Sequence, residues 1–375
     1  MSVRIPAETF APGEYLKDEL EARGWSQIDF AHIIGRDPKT VNMILSGKMR
    51  ITEDTAKLLE AALDLDAQYW LNLESAYRLA IAKETKIPDR VSRRAKLYDK
   101  YPIGLMTRRG WIEKTDSLDV LEHRVLSFFQ ISSLDEEPRF LCAAKRRNEP
   151  QKTSIQLAWL YRTHEIVKLM PVHGFTQKKL DEALKRLKAI MKHPEEIRHI
   201  PRILADAGVR FVIVEALPGS KIDGACYWLD RNTPVIAMTV RLDRIDNFWF
   251  VLLHELRHVA NGHGKQFCIL DTDLLEQEQI TQEEEQVNTE AEDFLIPRDQ
   301  MSDFIARVKP VFSQLTIIGF ANRIGIHPGI VVGRLRKKEV IPYTHYTKML
   351  VNVRHIICST ALCDGWGTMM PVRSN

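Results

Sequence analysis

The amino-acid sequence predicts a mainly α chain carrying a small α+β domain, and three observations predict it. Residues 12 to 80 read as short helices with recognisable caps and glycine stops. Three β-rich runs between residues 209 and 239 lead into an apolar helix that carries His254-Glu255-Leu256-Arg257-His258. The stretch between these regions repeats its apolar residues at helical spacing. With 375 residues, 45% hydrophobic and 27% charged, the chain has the balance of a globular protein and is long enough for two or three cores. A formal net charge of +3 is too small for generic nucleic-acid affinity, so any DNA binding must rest on a motif.

The first helix begins at Pro12-Gly13-Glu14. A second is capped by Ser26 and stopped by Gly35. Asp37-Pro38 opens a third as N-cap and first-turn proline, and Gly47 ends it. Two short helices joined by a tight glycine turn form a helix-turn-helix. Val41, Ile44 and Leu45 are expected to face the core, leaving Lys39, Thr40, Asn42 and Met43 outward, where a recognition helix meets base edges. Gln27, Ser46 and Lys48 are placed to touch phosphates. Acidic side chains outnumber basic ones over residues 1 to 85, so a single module is expected to hold DNA weakly and a homodimer to compensate. The next segment is basic: Lys86, Arg90, Arg93, Arg94, Lys96, Lys100, Arg108 and Arg109 stand against Asp89 and Asp99, as extra phosphate contacts or as a solvated helix face.

The segment from Pro12 to Ala80 resembles the HigA-like branch of the XRE-type helix-turn-helix family. The match extends through Ile51-Thr52-Glu53-Asp54-Thr55-Ala56 and Tyr69-Trp70-Leu71-Asn72-Leu73. The resemblance implies a lambda-repressor-like domain of five helices, double-stranded operator DNA as ligand and a toxin as protein partner.

Residues 86 to 200 read as a helical connector, with Leu118, Leu121, Val125, Leu126 and Phe129 at helical spacing and Leu180 to Met191 repeating the pattern. Trp159, Tyr161 and His164 are expected in its core.

Around His254 the chemistry becomes specific. Residues four apart on a helix lie about 40° from each other around the axis, so both imidazoles can reach one ion, and Glu255 lies beside them as a proton acceptor for water that the ion acidifies. Trp249, Leu252, Leu256, Val259 and Ala260 fall on the opposite side, so a core face and a metal face separate. A catalytic zinc keeps three protein ligands. The metzincin spacing puts Gly264 where a third His would fall, which excludes His263 as that ligand. In the helix after Thr281, Val287, Ala291 and Phe294 or Leu295 form the inward stripe, and Glu284 sits one turn before Val287 on it; Glu283 is the second choice. A short sheet ahead of this helix leaves an edge strand to which an extended peptide can add. Tyr227 is a candidate oxyanion donor, and Arg257, off the His face, is expected to pair with an acid.

His254-Glu255-x-x-His258, Glu284-x-x-Val287-Asn288 and Phe294-Leu295-Ile296-Pro297 resemble the ImmA/IrrE family of zinc peptidases from about Pro201 to Tyr343. Val287 stands where that family has Ala. The resemblance implies a zincin-like α+β metallopeptidase domain that binds Zn2+ and cuts a regulatory protein, often a repressor. A later segment, Ile317 to Leu335, has a helix-turn-helix flavour but falls inside this resemblance and is read as packing.

The expected organisation is a DNA-binding domain at 1–85, a connector at 86–200, a zinc peptidase at 201–345 and a tail at 346–375 of no assigned role. No apolar stretch is long enough to span a bilayer, and no signal peptide is evident, which predicts a cytoplasmic protein without a membrane partner. Five scattered cysteines, Cys142, Cys226, Cys268, Cys358 and Cys363, fit reduced thiols. The function expected is a HigA-like antitoxin or repressor whose zinc domain hydrolyses a peptide bond in a regulatory protein. The alternative is a repressor whose metal domain only senses or binds a partner.

Overall fold

The computed structural model describes residues 10–84, 89–140, 152–274 and 281–368. Lys86 and Cys142, named above, lie outside the described residues. The chain divides into two compact units, Met1–Arg93 and Arg94–Asn375.

The first unit holds helices α1 (Pro12–Arg23), α2 (Gln27–Ile33), α3 (Pro38–Leu45), α4 (Glu53–Leu63) and α5 (Ala67–Glu84). Their boundaries have local causes. Ser26 and Asp29 form a capping box on α2, Asp37 accepts from the Lys39 N–H to cap α3, and Thr52 caps α4. Leu16, Phe30, Val41, Ile44, Leu59 and Trp70 form one core. Gly13 lets α1 cross α3 closely, since a Cβ there would lie 2.4 Å from the carbonyl oxygens of Ile44 and Leu45. Glu74, buried on α5, accepts the N–H of Ile51 at 3.2 Å and pairs with Arg78, which also reaches the Gly47 carbonyl at 3.3 Å. This clamps the turn after α3.

The second unit is built on a mixed five-stranded sheet of order β4-β2-β3-β1-β5. Its strands are β1 (Arg210–Val214), β2 (Ile222–Trp228), β3 (Pro234–Met238), β4 (Ile269–Thr272) and β5 (Leu362–Asp364). β1 runs parallel to β3 and β5, whereas β2 runs antiparallel to β3 and β4. Both faces are covered, and the two-residue alternation sorts the side chains between them. Val212, Val214, Ala225, Tyr227, Val235 and Ala237 face a core with α6 (Asp89–Lys100), α7 (Ile103–Arg108), α8 (Leu118–Phe129) and α9 (Ser154–Val167). Phe211, Ile213, Cys226, Trp228, Ile236 and Met238 face the opposite core. There lie α10 (Gln177–Ile190), α11 (Ile200–Asp206), α12 (Ile245–Ala260), α13 (Gln282–Leu295), α14 (Arg298–Val308), α15 (Gln314–Ile324), α16 (Pro328–Lys337) and α17 (Arg354–Ile357).

The connector expected over residues 86 to 200 thus divides between the two faces: α6 to α9 cover one, with Trp159 and Tyr161 buried beneath them, and α10 joins the core on the other. The segment after residue 346 is structural as well. It supplies β5, whose Asp364 is buried against Arg162 at 2.6 Å and accepts from the Trp111 indole at 2.9 Å. α15 and α16 do form a bent pair, but Ile330, Val331, Val332 and Leu335 of α16 are buried in the core that holds α12. No single helix among the described residues is long and apolar enough to cross a membrane.

Candidate metal centre and nucleic-acid interface

α12 is apolar on nearly every side because it is the central helix of its layer, and His254, Glu255 and His258 on it are fully buried. Spacing of one helical turn brings the Nε2 atoms of His254 and His258 within 3.0 Å of each other. α13 packs along α12 and starts where Thr281 caps it by accepting the Glu284 N–H. That start places Oε2 of Glu284 3.4 Å from both Nε2 atoms, whereas Glu283 turns to His263 at 3.2 Å.

A fourth donor arrives from β4. Oδ2 of Asp271 lies 3.3 Å from Nε2 of His254 and 3.9 Å from that of His258. One ligand atom from each of His254, His258, Asp271 and Glu284 lies within 4.8 Å of the others. Sequence reasoning missed Asp271, because it lies on a separate four-residue strand at no fixed spacing from the helix motif.

The outer nitrogens of both imidazoles are held in place. Nδ1 of His254 lies 3.1 Å from Oδ1 of Asn288, and Nδ1 of His258 lies 3.0 Å from Nδ1 of His263. These contacts fix the ring orientations and aim Nε2 inward, as partners behind metal ligands do. His263 therefore sits behind a ligand.

Several observations fit a divalent cation at this centre. Oδ2 of Asp271, Oε2 of Glu284 and both carboxylate oxygens of Glu255 are buried without hydrogen-bond partners, an expensive arrangement unless a cation satisfies them. Burial acts against a charged imidazole, yet the carboxylates of Asp271 and Glu284 lift the pKa of His254 to about 9. Burial also opposes charge on Glu284, but the imidazoles of His254 and His258 beside it hold its carboxyl well below the usual carboxylate range. Positive charge is favoured at the centre of the cluster. The donor set of two nitrogens and two carboxylate oxygens suits zinc.

Glu255 lies beside this cluster, pressed against β2. Its carboxylate occupies the space a side chain on Gly224 would fill, since a Cβ there would come within 2.1 Å of Oε1. Burial, followed by the neighbouring Asp271, Glu284 and Asp223 carboxyls, pushes its pKa well up. Tyr227 does not reach this side. Strand alternation turns it to the opposite face, where it is fully buried and its hydroxyl lies 3.1 Å from Oγ1 of Thr163, so the expectation of an oxyanion donor fails. Arg257, expected to pair with an acid, instead lies over the ring of Phe294 at 5.1 Å.

In the first unit, Lys39, Asn42, Ser46, Lys48 and Gln27 are exposed, Thr40 and Met43 are half-buried, and Val41 and Ile44 are buried. Leu45, expected in the core, is half-buried. Arg36 and Arg50, in the turns flanking α3, are also exposed and were passed over because they lie outside the helix pattern. Part of the basic run is engaged within the chain: Arg94 donates to the Asp116 carbonyl at 2.8 Å, Lys100 to the Glu136 carbonyl at 3.0 Å, and Arg109 pairs with Glu215.

These features define a class: a helix-turn-helix DNA-binding regulator that carries a metallopeptidase-like unit in the same chain. Comparison with known proteins gives the families. The helix-turn-helix family model matches residues 16–70, and the IrrE N-terminal-like domain of the M78 peptidases matches residues 206–326. The chain is 32% identical over 82 residues to the uncharacterized HTH-type transcriptional regulator YddM of Escherichia coli (strain K12), covering 22% of this chain and 87% of that protein. It is 38% identical over 76 residues to virulence-associated protein I of Dichelobacter nodosus, covering 20% of this chain and 70% of that protein. Among solved structures, the segment is similar to a HigA-family addiction module antidote protein from Coxiella burnetii, at 32% identity, TM-score 0.20, and coverage of 21% of this chain and 86% of that one. It is also similar to the Pseudomonas aeruginosa antitoxin HigA with the higBA promoter, at 35% identity, TM-score 0.20, and coverage of 21% and 86%. Through its N-terminal segment the chain belongs to the XRE-type helix-turn-helix regulators, and it carries an IrrE-like M78 peptidase domain beyond it.

Proposed function

We propose that this chain is a cytoplasmic transcriptional regulator that reads operator DNA as a homodimer and carries a zinc peptidase directed at a regulatory protein. The DNA reader is assigned to residues 1–85 and the peptidase to residues 201–345. The observation that carries the enzymatic reading is the convergence of His254, His258 and Glu284 on one point with the buried carboxylate of Glu255 beside it.

His254, His258 and Glu284 are the residues that would hold zinc. The ion, when bound, polarises a peptide carbonyl and acidifies water next to it. Glu255 accepts a proton from the attacking water at its carboxylate and returns it to the nitrogen of the leaving amine, a role suited to a carboxyl whose pKa burial has raised. Asn288 and His263 hold the two imidazoles in register. At the DNA face, Lys39, Thr40, Asn42 and Met43 meet base edges, while Gln27, Ser46 and Lys48 meet phosphates. The protein partner is a toxin or a repressor, in keeping with the antitoxin-like character of the N-terminal segment.

Zinc content and cleavage test this together. Purified protein is expected to carry one zinc per chain and to lose it in His258→Ala and Glu284→Ala. Glu255→Gln is expected to retain zinc and to lose cleavage of a toxin or repressor substrate. Metal-free wild-type protein, or a Glu255→Gln protein that still cuts, refutes the reading.

A second reading, a repressor whose metal domain binds or senses without cutting, is favoured by one observation. Asp271 adds a fourth protein donor where a working site keeps three.

A further inference from the structure

Asp271 is set in an unusual place for a bystander. It is 4% exposed, its Oδ2 has no hydrogen-bond partner, and that atom faces both imidazoles. In the strand register Asp271 lies opposite Gly224, the residue whose missing side chain makes room for Glu255. The Asp271 carboxyl therefore lies beside both the proton acceptor and the two histidines. A reacting water would need that place. Two nitrogens and two oxygens also complete a tetrahedral set, the closed number of a structural zinc site.

β4, the strand that carries Asp271, forms one edge of the sheet and pairs with β2. An extended peptide adding to β2 beside the metal centre needs the edge that β4 occupies. Ion pairs fasten β4 there just beyond Asp271. Asp273 pairs with Arg241 at 2.9 Å and with Lys221 at 2.8 Å, and the Leu274 N–H donates to Asp223 at 2.9 Å. Asp223 is itself held by Arg241 at 3.1 Å. Asp273 lies two residues from Asp271, or about 7 Å along a strand, so a shift at this fastening moves the carboxylate off the cluster.

We infer that Asp271 is a removable fourth ligand and β4 an internal occupant of the substrate edge, so that the folded chain is a latent peptidase that opens when β4 is displaced. The inference rests on the cluster being a metal centre. Cobalt-substituted full-length protein, titrated with acetohydroxamate and read by its visible spectrum, tests it without reference to turnover. The hydroxamate needs an open coordination position. The wild-type spectrum is expected to stay unchanged, while Asp271→Ala and the near-isosteric Asp271→Asn shift on addition and bind zinc about tenfold or more weakly. Arg241→Ala keeps every donor but loosens the fastening, and takes up hydroxamate more tightly than wild type. Wild-type protein that takes up hydroxamate as readily as the Asp271 variants overturns the inference. Asp271 variants that ignore it overturn it equally, and should Asp271→Ala not fold, Asp271→Asn and Arg241→Ala decide. Failure of the metal-centre reading shows separately, as cobalt binding that His258→Ala leaves intact.

Discussion

Glu255 and His164 are both buried titratable groups, and each meets the cost of burial differently. Glu255 sits beside a cluster that favours a cation and is shaped for by Gly224, so its position belongs to the site. His164 sits among aromatic rings, 5.5 Å from Phe140 and 6.3 Å from Tyr227, with Nδ1 buried and without a hydrogen-bond partner. Burial, with Lys168 adding to it, pulls its pKa down to about 4 from 6.5. The sign follows from proton counting. Above pH 6.5 the imidazole is neutral in both folded and unfolded chains and contributes nothing; between 6.5 and about 4 only the unfolded chain takes up the proton, so stability falls as pH falls. The loss reaches at most about 3.5 kcal/mol by the lower end, since each pKa unit is worth about 1.4 kcal/mol. His164→Leu, which cannot protonate, should flatten that slope. Urea unfolding at pH 7.5 and pH 4.5 checks it: an unchanged gap between the two midpoints in the variant removes His164 as the cause.

At the scale of elements, legibility followed local cause. α3 was readable from Asp37 and Pro38 at its start, and α12 from an apolar run ending in two histidines four apart, because caps and helical periodicity are written in adjacent residues. Glu284 was readable as a placement because the stripe of Val287 and Ala291 points the same way. β4 was not readable, being four residues long with two polar side chains, and so Asp271 was hidden with it. β5 was hidden for a stronger reason. Its three residues pair with β1, and Asp364 meets Arg162 at a separation of 202 residues, a contact no local pattern announces. That pair gives a prediction. Arg162 and Asp364 are 4% and 2% exposed, so Asp364→Ala removes a carboxylate from a buried guanidinium and an acceptor from the Trp111 indole. Breaking a buried pair from one side costs about 3–5 kcal/mol. Chemical denaturation followed by tryptophan fluorescence should show that loss, and a change below about 1 kcal/mol would mean the pair is relaxed by water.

At the scale of the whole molecule, charge sets how the chain must hold DNA. The first unit has its own core and capped helices, so its fold does not depend on the metal centre. Zinc removal by a chelator, or Glu255→Gln, should leave operator footprints unchanged. Binding itself should show an unusual salt dependence. The proposed phosphate contacts include one lysine, Lys48, and acidic residues outnumber basic ones in residues 1 to 85. Each neutralised phosphate contributes a slope of about −0.9 in log K against log salt, so a dimer using Lys48 in each module gives about −2. Specificity then has to come from base contacts and from pairing two half-sites, about 34–36 Å apart on one face of the duplex. Lys48→Ala should lower the salt slope along with affinity. Asn42→Ala should leave the slope in place and relax discrimination at one position per half-site, by about 1–3 kcal/mol if that contact is bidentate. Dilution should abolish the footprint cooperatively as the dimer parts. A chain that footprints a full operator while eluting as a monomer, or whose salt slope approaches −10, would place the affinity elsewhere, in the basic residues of α6.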